Sequence, residues 1–110
     1  MKTPRETELV SACLMLLNLR GVFAWRNNTG AFVLGRGRAR RFVRAGAKGS
    51  PDILGVLPGG RFLAVECKRP GRRPTPAQAA FLDRLRQAGA LALVIDDVAA
   101  LDRVLAELLR

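Results

Sequence analysis

Histidine and tyrosine are absent from this 110-residue chain. Their absence excludes Ser-His-Asp and Cys-His catalysis, histidine metal sites, and nucleases with a histidine base or a covalent tyrosine. The two cysteines, Cys13 and Cys67, are too few for a four-ligand zinc centre. Aromatics make up 5% of the residues, a poor supply of stacking platforms for single strands. The longest apolar run, Cys13 to Leu17, falls far short of a membrane span. Met1-Lys2-Thr3-Pro4-Arg5-Glu6 leads into a helix with internal charges, which is not the pattern of a signal peptide. The expectation is a reduced, cytoplasmic protein with no membrane association. Any catalysis must rest on carboxylates, Lys and Arg, with or without a metal ion.

Acids are also few. Nine Asp and Glu face 19 Lys and Arg, for a net charge of +10. That excess calls for a polyanionic partner, with nucleic acid ahead of an anionic membrane surface. Most of the cations are Arg, the better bidentate phosphate binder, although a GC-rich genome explains that ratio equally well. The apolar content of 49% is that of a globular chain, and the length suits one domain, residues 1–110.

Apolar spacing predicts a helix over Thr7 to Arg20, stopped by Gly21. Val22 to Arg26 and Ala31 to Leu34 read as short strands around the turn Asn27-Asn28-Thr29-Gly30. A basic, glycine-punctuated stretch, Gly35 to Arg41, reads as a flexible loop, followed by an extended Arg41 to Arg44. Asp52 to Leu57 and Arg61 to Lys68 form a hairpin about Pro58-Gly59-Gly60. Thr75-Pro76-Ala77-Gln78 opens a second helix with a capping box, ending at Gly89. Leu91 to Ile95 is a buried strand, and Val98 to Leu109 is an amphipathic last helix. The chain is therefore an α/β fold, a sheet covered by helices.

The chemistry gathers on that hairpin. Glu66 and Lys68 share one face of a strand, while Cys67 faces the other way, toward the core. The hairpin brings Asp52 opposite them; whether it shares their face depends on the turn. Two carboxylates together favour a hard divalent cation such as Mg²⁺. A metal there binds a phosphate oxygen and acidifies a coordinated water, with Lys68 alongside. The metal-free alternative is an ion-pair cluster of Asp52 and Glu66 with Lys68.

Gly49-Ser50-Pro51-Asp52 followed by Glu66-Cys67-Lys68 resembles the PD-(D/E)xK nuclease signature. With Glu8, Trp25-Arg26-Asn27-Asn28-Thr29-Gly30 and Gln78 in the same order, the chain resembles the VRR-NUC family of that superfamily. One departure is Val10, where the family often has Gln. The resemblance implies a restriction-endonuclease-like core, a central mixed sheet flanked by helices in the order α-β-β-β-α-β-α. It implies Mg²⁺ or Mn²⁺ dependence and hydrolysis of DNA phosphodiesters. Asp52 and Glu66 would hold the metal, with the Cys67 backbone carbonyl as a further ligand, and Lys68 would serve the attacking water. Small members of the family look like phage or mobile-element proteins that act as homodimers on branched or flapped DNA, including four-way junctions.

Other residues carry two readings. Glu8 either completes the metal site through a water or is a solvated acid in a first helical turn, and Glu6 lies close enough in sequence to compete for the role. Gln78 has two roles open to it, reaching the site and capping its helix, and the two are compatible. Trp25 reads as a half-buried packing residue. Arg26, Asn28, Arg36, Arg38, Arg40, Arg41, Arg44, Lys48, Arg69, Arg72 and Arg73 are candidate DNA contacts. Six such cations on phosphates would give a log–log salt slope of about −5. The reading is a metal-dependent endonuclease on double-stranded or branched DNA. Its rivals are a non-catalytic nucleic-acid-binding module with a degenerate site, and a basic protein that docks a partner through an exposed last helix.

Overall fold

The structure, a computed structural model, describes residues 2–27 and 30–110, with backbone alone for 30–32 and 43–45. Helix α1 spans Pro4–Leu19. Thr3 is its N-cap: the Thr3 hydroxyl accepts from the Glu6 N–H at 3.2 Å, and the Glu6 carboxylate accepts from the Thr3 N–H at 3.2 Å. This capping box, with Pro4 in the first turn, starts the helix before the expected Thr7. Val10, Cys13 and Leu17 form its buried stripe at helical spacing, and Glu6 continues that stripe toward the N-terminus.

Strand β1 (Phe23–Arg26) leads into a separate antiparallel pair, β2 (Gly30–Leu34) and β3 (Arg41–Ala45), joined through a 3₁₀ turn at Gly37–Ala39. The glycine-punctuated stretch expected to be a flexible loop is therefore the tip of a hairpin. Strands β4 (Ile53–Val56) and β5 (Phe62–Cys67) follow, then α2 (Pro76–Gln87), β6 (Leu91–Ile95) and α3 (Val98–Leu108). The main sheet has the order β1-β4-β5-β6. Its first three strands are antiparallel, and β6 lies parallel to β5 across the α2 crossover. With the β2–β3 arm set aside, the core reads α-β-β-β-α-β-α.

Alternation along β5 divides the interior. Leu63, Val65 and Cys67 pack with Val10, Cys13 and Leu17 of α1 and with Leu101 and Leu105 of α3. Ala64 faces the other way, against Ala92 and Leu82 of α2. Glu66 takes the same parity as Ala64, so it emerges on the α2 side. Leu101 and Leu105 are fully buried, which removes the reading of an exposed apolar face on the last helix.

Candidate active site

The β4–β5 register settles the question the turn left open. Ile53 pairs with Val65, so Asp52 stands one step further, opposite Glu66 and on its face. Asp52 Oδ2 accepts from the Cys67 N–H at 2.8 Å, which extends the pairing beyond the regular strands. Gly49 permits the chain to arrive there. Its φ is +81°, and a Cβ on it would lie 2.4 Å from the Ala77 carbonyl oxygen at the start of α2. Asn27 ties the same segment to the end of β1: its N–H donates to the Asp52 carbonyl at 2.8 Å, and its side-chain amide donates to Ser50 Oγ and, at 2.9 Å, to the Pro51 carbonyl.

Lys2, just before α1, brings its ammonium to the centre of this arrangement. Nζ lies 2.7 Å from Glu66 Oε1 and 2.9 Å from Asp52 Oδ2, and it donates to the Cys67 carbonyl. Burial pulls the Lys2 ammonium toward neutrality, but the two carboxylates outweigh it and hold its pKa above the ordinary value. The ion-pair cluster expected from the sequence is thus present, with a different lysine. Lys68 is 8% exposed and has no hydrogen-bond or ion-pair partner for its ammonium among the described residues.

Glu66 is 1% exposed, and its Oε2 has no hydrogen-bond partner among the described residues. Burial, then the neighbouring Asp52, pushes its carboxyl up to about 7 despite Lys2. A buried carboxylate with an orphaned oxygen is costly without a cation. Among the described residues no three His, Cys, Asp or Glu side chains converge as a ready-made metal cluster. What converges is two carboxylates and one carbonyl around a single positive charge. Mg²⁺ asks for such a set, since it keeps several waters. The residues therefore fit a divalent cation, with the Lys2 ammonium standing where it would go. Cys67 would offer only its carbonyl: contact with Cys13 and burial push its thiol up, and the thiol is turned into the core.

The helix-1 acid at the site is Glu6, not Glu8. Glu6 is 4% exposed and accepts from the Arg69 N–H at 3.2 Å, whereas Glu8 is on the exposed face of α1. Helical geometry is the reason. Glu6 lies on the stripe of Val10, Cys13 and Leu17, and Glu8 lies well around the helix from it. Burial raises the Glu6 pKa, but the N–H groups of Thr3 and Arg69, aided by Lys2 and Lys68, bring it below the ordinary value.

Gln78 does both things expected of it. Its Oε1 accepts from the Thr75 N–H at 2.8 Å, and its Nε2 donates to Glu66 Oε1 at 3.4 Å. Trp25 is partly exposed and packs against Phe23 with ring centroids 5.4 Å apart. Arg26, Arg36, Arg38, Arg40, Arg41, Lys48, Arg72 and Arg73 are exposed, Arg69 is half-buried, and Arg44 is on β3. Asn28 lies outside the described residues.

Sequence reasoning passed over Lys2 and the first capping box. The signal for the second was there: Thr3-Pro4-Arg5-Glu6 repeats the pattern of Thr75-Pro76-Ala77-Gln78. Nothing in the sequence marks Lys2, because its partners Asp52, Glu66 and Cys67 are distant in the chain.

Residues 5–98 match the family described as VRR-NUC domain. A curated relative, p44, named as a candidate nuclease of Acyrthosiphon pisum secondary endosymbiont phage 1, is 45% identical over 60 residues. That match takes in 54% of this chain and 64% of p44, so it spans less than two thirds of that relative. A solved structure described as a VRR_NUC domain superposes with a TM-score of 0.67 at 21% identity, covering 94% of this chain and 97% of its own. At that identity the likeness is one of fold.

Proposed function

The chain belongs to the VRR-NUC domain family, within the restriction-endonuclease-like superfamily, and from that premise we propose that it is a divalent-metal-dependent DNA endonuclease formed as one domain over residues 1–110. The observation that carries the reading is the single cation position bounded by Asp52, Glu66 and the Cys67 carbonyl. Mg²⁺ or Mn²⁺ held there would supply Lewis-acid charge to a phosphate and acidify water at neutral pH. Asp52 and Glu66 hold the ion. Lys68, buried and unpaired among the described residues, orients the attacking water and stabilises the charge that develops on the phosphate. Glu6 fixes the strand end through the Arg69 N–H, and Gln78 steadies Glu66. Glu8, exposed on α1, is at most a ligand through water. With no histidine to activate a side-chain nucleophile, the displacement is a direct in-line attack by water.

Phosphate contacts come from Arg26, the β2–β3 arm, Lys48, and Arg69, Arg72 and Arg73 after β5. A homodimer acting on branched DNA, such as a four-way junction or flap, completes the proposal. Met15 and Leu19, exposed on α1, supply an apolar surface for the second copy.

The test is cleavage of labelled linear duplex, single strand, flap and four-way junction with Mg²⁺, Mn²⁺ or EDTA, beside Asp52→Ala and Lys68→Ala. The expected result is metal-dependent cutting by the wild type and none by either variant, with DNA binding retained. Binding without cutting, or cutting by the variants, would instead favour the non-catalytic binding module.

A further inference from the structure

Residues 27–51 hold six cations, Arg36, Arg38, Arg40, Arg41, Arg44 and Lys48, and not one acid. The five arginines lie on the arm formed by β2 and β3, and Lys48 follows it; the arm makes its own sheet, and among the described residues no core element packs substantially on it. The molecule measures 56 × 29 × 25 Å, the outline of a core with a projection. Arg36, Arg38, Arg40 and Arg41 are exposed at the tip, and none has an ion-pair partner among the described residues. An apolar rung accompanies them. Val33 pairs with Phe42, so both side chains leave the same face, and they are 51% and 74% exposed. The root of the arm is fixed at the candidate metal site. Asn27 joins β1 to Ser50, Pro51 and the Asp52 carbonyl, so whatever holds the arm is held relative to Asp52.

We propose that the β2–β3 arm is a ribbon that enters the major groove of duplex DNA flanking the scissile phosphate, making a double-stranded flank part of the substrate. The placement beside a cleaved phosphate rests on the nuclease reading, whereas the groove contact itself does not. Charge complementarity selects the partner, since a strip of arginines without a single acid suits a polyphosphate. Dimensions select the groove. The major groove, about 12 Å wide, admits a two-stranded ribbon, and the minor groove, about 6 Å wide, does not. Five residues per strand reach about 17 Å, about half a turn of duplex. Val33 and Phe42 supply an apolar face for thymine methyls, and the arginines supply contacts to phosphates and guanine edges.

The experiment compares wild type with the triple variant Arg36→Ala, Arg38→Ala, Arg40→Ala. These side chains are exposed and away from the core, so the fold is expected to be unaffected. Binding to a duplex of about 30 base pairs, and to one of its strands, is measured in EDTA over a series of salt concentrations. The variant is expected to weaken duplex binding on the order of a hundredfold near 0.1 M salt and to flatten the log–log slope by about 2.7. Its single-strand slope is expected to stay unchanged. Methyl green, which occupies the major groove, is expected to displace the wild type, and netropsin, which occupies the minor groove, is not. An unchanged duplex slope, an equal loss on the single strand, or displacement by netropsin would each overturn the proposal. So would a Phe42→Ser variant that turned a dimer into a monomer without altering duplex binding, because the face would then belong to a second copy. Cleavage of the same duplex with Mn²⁺ separates the two readings. A wild type that never cuts while the slope flattens refutes the nuclease and keeps the arm. A wild type that cuts while the slope stays put does the reverse.

Discussion

Replacing Lys2 by alanine gives the sharpest view of the site. In the metal-free protein the Lys2 ammonium neutralises Asp52 and Glu66 at 2.9 and 2.7 Å. Breaking a fully buried pair costs about 3–5 kcal/mol, and breaking an exposed one costs under about 1 kcal/mol. Lys2 is 19% exposed, Asp52 16% and Glu66 1%, and Glu66 can relieve part of the penalty by taking up a proton, so about 2 kcal/mol is the working figure. In EDTA, Lys2→Ala is expected to melt about 10 °C below the wild type. A divalent cation entering the wild type must displace the ammonium, and in the variant it need not. The same free energy therefore reappears as affinity, with Mn²⁺ binding about ten- to thirtyfold tighter in the variant. The two proteins are expected to melt at nearly the same temperature once saturated with metal. Calorimetric titration with Mn²⁺ and melting curves with and without EDTA close this cycle. Unchanged or weaker Mn²⁺ affinity in Lys2→Ala would refute the idea that the ammonium and the metal share one position.

Three further outcomes follow from the geometry. Burial, then Asp52, holds the Glu66 carboxyl at about 7 against an ordinary 4.5, so between those values the native protein keeps a proton that the unfolded chain has lost. Its contribution to metal-free stability therefore falls as pH rises from 4.5 to about 7 and is flat above, while Mn²⁺ affinity climbs over the same window because binding expels that proton. Pairing urea melts in EDTA with Mn²⁺ titrations from about pH 5 to about pH 8 would show both, and a pH-independent Mn²⁺ affinity would contradict the assignment. Gly49→Ala is expected to cost about 3 kcal/mol, because it combines a φ of +81° with a Cβ 2.4 Å from the Ala77 carbonyl oxygen; a urea midpoint close to wild type would show that the segment before Asp52 is free to shift. Leu105→Ala removes a fully buried side chain between α3 and the sheet and is expected to cost about 3 kcal/mol; a loss under about 1 kcal/mol would mean that α3 does not hold the core.

Much of the core was legible residue by residue. The hairpin around Pro58-Gly59-Gly60 was marked by two apolar runs flanking turn residues, and it forms with Val56 opposite Phe62. The capping box at Thr75 and Gln78 was readable because both partners lie within one turn. Cys67 was readable as a core residue because strands alternate. Apolar spacing alone starts helix α1 late, because the start is set by the Thr3–Glu6 cap; Glu8 enters from the family resemblance, and only packing shows Glu6 to be the buried acid of the pair. The β2 and β3 segments were visible as extended chain, but not as an arm apart from the main sheet, since no local pattern says which strands pair.

The sequence by itself determined the local elements, the excess of positive charge, the exclusion of histidine and tyrosine chemistry, and the strand that carries Glu66 and Lys68. These depend on periodicity, capping and residue type, which act over a few bonds. Tertiary structure alone decided that Asp52 shares the face of Glu66, that Glu6 and not Glu8 is buried against the Arg69 N–H beyond β5, that Lys2 supplies the positive charge of the two carboxylates, and that the arginines lie along an arm rooted beside Asp52. Each depends on register or on a contact between residues distant in sequence. A one-residue slip in the β4–β5 pairing would carry Asp52 to the other face without changing any local preference, and only the packed core forbids it.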